Sequence, residues 1–369
     1  MSLSQVEIQL IAVLVSLCCS ILGVFLVLRK VAMISDAISH SILQGIVLGF
    51  FITEDLNSPL LIIMAALSGM LTVFLVEWVQ KTKLVKEDTS IGIVFPALFS
   101  IGIIMITRNA GDIHLDTDAV LLGELAFAPF DRLFINNINL GPKALWVMGS
   151  IFILISGLLL LFYKELKISS FDAGLSASLG FSPLIIHYLL MFLSSITIVG
   201  AFDAVGSILV VGFMIVPAAI AYLMTNDLKR MLVLSMIFGG SSAILGYWLA
   251  HILDASIAGS IMAVLGVLFL LTYLFSPLEG RLTKKIRHHN QKLEISLLTL
   301  LIHIQSHKEK SEKSVIHLQE HINWNAEKAE RILKIATKKE YVYIQNEMIH
   351  ITPKGQIFSQ TKVKEYLLK

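Results

Sequence analysis

The chain has 369 residues, 56 % of them apolar and only 15 % charged, with a formal net charge of +2 and a mean hydropathy of +0.78. Soluble globular domains carry about 25 % charged residues, and here the apolar residues come in blocks of membrane-spanning length, which excludes an ordinary water-soluble fold. The small net charge hides an asymmetry: residues 279–369 hold 17 Lys and Arg against 10 Asp and Glu, so two parts in different solvents are expected.

In chain order, apolar blocks at 8–28, 33–51, 59–79, 91–107, 144–163, 184–201, 206–224, 231–250 and 259–276 each approach the roughly 20 residues a spanning helix needs. Residues 1–9 lack the basic start of a secretory signal, so the first block reads as a span. Cys18 and Cys19, adjacent within it, cannot frame a disulfide scaffold and read as inert packed thiols. Arg29-Lys30, Lys81 to Lys86, Lys164-Lys167, Lys229-Arg230 and Arg281 to Arg287 fall on every second link, and the alternate links are acidic or neutral. Positive links stay in the cytoplasm, which predicts an outside N-terminus and a cytoplasmic C-terminus. The Gly-rich 200–212 leaves room for a broken or re-entrant helix, so eight or nine spans are expected.

The second block is the unusual one. It is apolar enough to cross a bilayer yet carries Asp36 and His40, four residues apart and so on one helical face. A charge at membrane depth costs roughly 2.5–3.5 kcal/mol on insertion scales and implies a partner or a purpose. The pair reads either as an ion pair holding two spans together or as ligands for a divalent cation. Gln44 continues the same row, and beside it Ala37, Ser41, Gly45 and Gly49 form a stripe of small residues that lets another backbone come close. His251 and Asp254, at the outer end of the eighth span, are weaker candidates for further ligands.

Two links are more than turns. The outer loop 108–142 holds Asp112, His114, Asp116, Asp118 and Glu124, which read as solvated residues before metal collectors. In the cytoplasmic link 164–183, Ser170 or Asp172 can cap a short helix that Gly180 ends before Pro183. After Pro277 the composition changes. A basic linker over 279–291 is expected, then helices at 292–306, 312–321 and 325–340, a hairpin over 341–351 and a last helix over 353–368. That is the element order of a small α+β winged helix. The basic residues Lys328, Arg331, Lys334, Lys338, Lys339 and Lys354 would suit DNA phosphates, but Glu327, Glu330 and Glu340 are interspersed, and a solvated charged face is the commoner explanation.

Several stretches in order resemble the membrane permease of manganese, zinc and iron ABC importers. They are Ser35-Asp36-Ala37-Ile38-Ser39-His40-Ser41, Lys86 to Ile93, Ser170-Phe171-Asp172 leading to Leu179-Gly180, and Gly206 to Val210 leading to Ile215-Val216-Pro217-Ala218-Ala219. The resemblance covers about residues 5–277. It implies an all-α polytopic fold of the type II importer kind over 1–278, in a bacterial plasma membrane. It further implies a second permease copy, two cytoplasmic ATPases and an extracytoplasmic solute-binding protein that delivers Mn, Zn or Fe. Asp36 and His40 match the family's metal ligands, and Ser170, Phe171, Asp172, Leu179 and Gly180 match its ATPase contact. No Gly-x-x-x-x-Gly-Lys-Ser/Thr run occurs, so hydrolysis is expected on another polypeptide. Relatives usually have proline where Gln44 stands, and an amide there could offer a carbonyl oxygen or orient a water at the ion. The tail resembles the DNA-binding part of metal-dependent repressors. The alternatives are a siderophore or corrinoid permease, whose bulky cargo fits Asp36 and His40 poorly, and a membrane-tethered regulator.

Overall fold

The computed structural model describes residues 2–54, 58–109, 124–135, 138–306, 324–345 and 348–367. The chain divides into two compact units, Met1–Gly280 and Arg281–Lys369.

In the first unit, nine helices among the described residues are long and apolar enough to cross a membrane. They are α1 (Leu3–Leu28), α2 (Ile34–Thr53), α3 (Pro59–Lys81), α4 (Glu87–Asn109), α5 (Lys143–Leu161), α8 (Pro183–Val205), α9 (Ser207–Met224), α10 (Leu228–Leu253) and α11 (Ile257–Phe275). Most run a few residues past the apolar blocks because polar side chains cap them. Ser2 and Gln5 form a reciprocal capping box on α1, Ser58 accepts from Leu60 N–H, and Asp227 accepts from Arg230 N–H. That backbone bond holds the Asp227 carboxyl below the usual range. Large apolar side chains such as Phe74, Trp78, Ile153 and Leu160 stand exposed on the outside of the bundle, the reverse of a water-soluble fold.

The Gly-rich 200–212 is where the helix breaks, as its glycines allow. Helices α8 and α9 meet at Gly206, whose φ of 78° lies where only glycine is comfortable, and Asp203 sits in the last turn of α8. The link 164–183 holds two short helices rather than one, α6 (Tyr163–Phe171) and α7 (Ala173–Ser178). Asp172 caps α7 by accepting from Leu175 N–H at 2.9 Å, and Gly180 follows with φ +87°. In the loop before α5 a hairpin appears that periodicity did not announce: β1 (Arg132–Ile135) pairs antiparallel with β2 (Ile138–Pro142). Arg132 pins it to α1 by donating to both carboxylate oxygens of Glu7 at 3.0 Å. Asp112, His114, Asp116 and Asp118 lie outside the described residues.

Close helix contacts fall where the small stripe predicts. Ala37, Ser41, Gly45 and Gly49 are buried along α2, and the last three meet α3; a Cβ on Gly45 would stand 2.5 Å from the Met64 carbonyl oxygen. Gly23 on α1 likewise lies directly against the Met214 carbonyl of α9.

The second unit has its own core. Helix α12 (Arg281–Ser306) begins eleven residues before the expected start, because the basic stretch read as a linker is itself helical. Helix α13 (Ala326–Lys338) is capped by Asn325 as expected, through Lys328 N–H at 3.1 Å. Strands β3 (Val342–Gln345) and β4 (Met348–Ile351) pair with Val342 opposite Ile351, and α14 (Pro353–Leu367) follows. Leu297, Leu300, Leu301 and Ile304 of α12 pack on Ile332 and Leu333 of α13 and on Val342 and Ile349. The expected helix over 312–321 lies outside the described residues.

Candidate functional site

Asp36 is the third residue of α2 and His40 the seventh. At a 1.5 Å rise per residue His40 is about 9 Å from the helix start, so the pair occupies the first two turns rather than the middle of the span. His40 Nε2 lies 3.5 Å from Asp36 Oδ1, a loose contact, and the two side chains are 37 % and 38 % exposed. The imidazole leans on Phe95 of α4, ring centroids 5.5 Å apart. Both open into a cavity of about 300 Å³ lined by Ser39 of α2, by Ser207, Ile208, Val211, Gly212, Ile215 and Val216 of α9, and by Met262 of α11. An acid in the first turn of a helix is favoured by the positive end of the helix dipole, and this places a carboxylate at the cavity wall.

Gln44 does not join them. It is buried and turned to α3, where its Nε2 donates to Ser68 Oγ at 3.0 Å. Ser68 donates to the Ser41 carbonyl at 2.9 Å, and Thr72 to Ser41 Oγ at 2.6 Å. Each four-residue step turns about 40° round a helix, so two steps carry Gln44 about 80° from the Asp36 direction and onto the α3 contact. His251 and Asp254 are also apart from the cavity lining. His251 stacks on Tyr247, centroids 6.4 Å apart, and Asp254 ends α10 in the left-handed region. Among the described residues no group of three or more His, Cys, Asp or Glu could hold one ion.

A second carboxylate–imidazole pair was missed in the sequence. Glu77 of α3 meets His187 Nε2 of α8 at 2.5 Å and accepts from the Tyr188 hydroxyl at 2.8 Å. Glu77 inside the apolar block 59–79 was the available signal, since a charge there needs a partner.

At the same end of the bundle, Arg29 following α1 donates to Ser169 Oγ at 3.0 Å and Ser170 Oγ at 3.3 Å, tying α6 to α1. Burial lowers the Arg29 pKa. Phe171, Leu175 and Leu179 are exposed along α6 and α7, beside Asp172 and Gly180. In the second unit Arg331, Lys334, Lys338 and Lys339 are exposed on and after α13, and Lys328 sits over the Trp324 ring. Lys354 is apart from this row and pairs with Glu340 at 2.8 Å, which raises the lysine pKa and lowers that of the glutamate.

The model of the ABC 3 transport family matches residues 5–276, nearly all of the first unit. The chain belongs to that family. It is 46 % identical over 298 residues to the zinc transport system membrane protein TroD of Treponema pallidum, covering 81 % of each chain. It is 44 % identical to the manganese transport system membrane protein MntD of Bacillus subtilis, covering 76 % of this chain and 95 % of the other. Among solved structures, PsaBC from Streptococcus pneumoniae in complex with Fab is 29 % identical with a TM-score of 0.63, covering 75 % of this chain and 94 % of that one. The family match stops at residue 276, so the second unit lies outside it.

Proposed function

We propose that this chain is the membrane subunit of an ATP-driven importer of a divalent transition metal, manganese, zinc or iron, and that Asp36 and His40 contact the ion. One observation carries the reading. In a member of a transport family, a carboxylate and an imidazole one turn apart, each more than a third exposed, face a cavity with a mostly apolar lining. Oxygen and nitrogen donors suit these three ions, and the names of the zinc and manganese relatives agree with that choice. Two donors bind weakly, and the positive end of α2 opposes a cation, both of which suit an ion that must leave again. A second permease copy across the open side of the cavity would complete the site.

The energy comes from separate cytoplasmic ATPases. The exposed apolar side chains of Phe171, Leu175 and Leu179, held to α1 through Arg29, form the surface that receives them. With the N-terminus outside and the second unit in the cytoplasm, as the Lys and Arg of the links favour, an extracytoplasmic binding protein delivers the metal at the opposite end. The second unit, where α12 and α13 are followed by a hairpin and α14, is read as a winged helix that serves contacts with other proteins; its acid-interspersed basic face makes DNA the less favoured partner.

Metal accumulation in cells that depend on this system tests the reading. Asp36→Ala and His40→Ala should each abolish uptake with the protein still present in the membrane, while Gln44→Ala retains it. Undiminished accumulation in either of the first two would overturn the site.

A further inference from the structure

Helix α12 is used in two different ways along its length. From Leu293 to Ile304 its apolar stripe is the core of the second unit. The same stripe runs back through Ile286 and Leu282, which are 62 % and 41 % exposed, and every residue from 281 to 292 except Thr283 is exposed. Three helical turns so exposed are marginal in water, since helices shorter than about 12–15 residues are seldom stable alone. Residues 281–292 contain Arg281, Lys284, Lys285, Arg287 and Lys292, the imidazoles of His288 and His289, and no Asp or Glu. On a helical wheel Arg281, Lys285 and Lys292 lie to one side of the narrow Leu282–Ile286–Leu293 stripe and Arg287 to the other, with Lys284 opposite it. That is the make-up of a helix lying in a membrane interface, its apolar edge among acyl chains and its cations among headgroup phosphates.

Chain length favours the same partner. Only residues 276–280 separate the last span, ending at Phe275, from Arg281. Five residues reach at most on the order of 18 Å, so the start of the basic segment stays close to its own bilayer. A helix lying along the surface from there keeps its Lys and Arg within about a Debye length of the headgroups, where anionic lipid attracts each of them.

We infer that residues 281–293 are a binding surface for anionic phospholipid headgroups, and that the lipid covers the part of the α12 stripe that the second unit leaves open. The inference rests on the orientation proposed above only for which leaflet is bound.

The test uses the full-length chain in nanodiscs of phosphatidylcholine, with and without phosphatidylglycerol, and follows amide hydrogen exchange. Phosphatidylglycerol should slow exchange over 281–293 on the order of tenfold, and salt or the triple variant Lys284→Gln, Lys285→Gln, Arg287→Gln should remove the effect. Exchange over 297–304 and in α13 should stay unchanged in the variant, showing that the unit keeps its fold. Equal exchange in the two lipids would overturn the inference, as would protection that appears only on adding duplex DNA. Impermeant labelling of a Lys292→Cys variant in sealed vesicles reads the orientation separately. Labelling from outside would sink the cytoplasmic assignment, while lipid protection would still support the surface.

Discussion

Among the described residues of the bundle, a carboxylate and an imidazole pair in two places, in opposite circumstances. Glu77 and His187 are 16 % and 18 % exposed, sit on different helices, meet at 2.5 Å, and have Tyr188 as a third partner. Asp36 and His40 are more than a third exposed, share one helix, and stand 3.5 Å apart beside a cavity. A pair whose hydrogen-bonding capacity is met within the protein has little left for an ion, and its removal costs stability. A loosely held pair at a cavity has coordination to offer, and its removal should cost function.

Stability measurements can break or sharpen that contrast. Glu77→Ala leaves an imidazole and a phenol unmatched between α3 and α8 and should destabilise by about 3 kcal/mol, read by thermal unfolding in detergent. Replacing Glu77 and His187 together by leucine should recover much of that loss, which a purely steric defect would not do. Gly45→Ala, pressing a methyl on the Met64 carbonyl, should cost about 2 kcal/mol in the same assay. Gln44→Ala removes one interhelical bond to Ser68 and should cost roughly 0.6 kcal/mol, with metal uptake and preference unchanged. Asp36→Ala should have the smallest effect on stability, below about 0.5 kcal/mol for so exposed a pair, even though it stops uptake. If Asp36→Ala destabilised as much as Glu77→Ala, the contrast would collapse into two structural pairs.

Much of this was legible in the sequence because the membrane leaves few options. Apolar blocks between Lys and Arg links mark the spans, and Ser41, Gly45 and Gly49 mark the face that α3 covers. Asp36 and His40 stood out as polar residues with no local reason to be there, and Asn325 announced the start of α13. The remainder depends on direction and on distant partners. That Gln44 turns to Ser68 follows from a rotation of about 80° along the helix, which a row of four-residue steps conceals. Glu77 was visible, but its partner His187 is 110 residues away and only tertiary packing joins them. The β1–β2 hairpin is held by Arg132 reaching Glu7 at the start of the chain, a contact no local pattern encodes. Residues 281–291 read as a linker because charge was weighed above helix propensity, although Arg and Lys are good helix formers.

The central claim is that His40 and not His187 touches the ion. Zinc-edge X-ray absorption on the assembled, zinc-loaded importer tests it directly. The account predicts imidazole scattering in the wild type that disappears in His40→Ala and persists in His187→Ala. An imidazole signal that survives His40→Ala, or that is lost with His187→Ala, would contradict it.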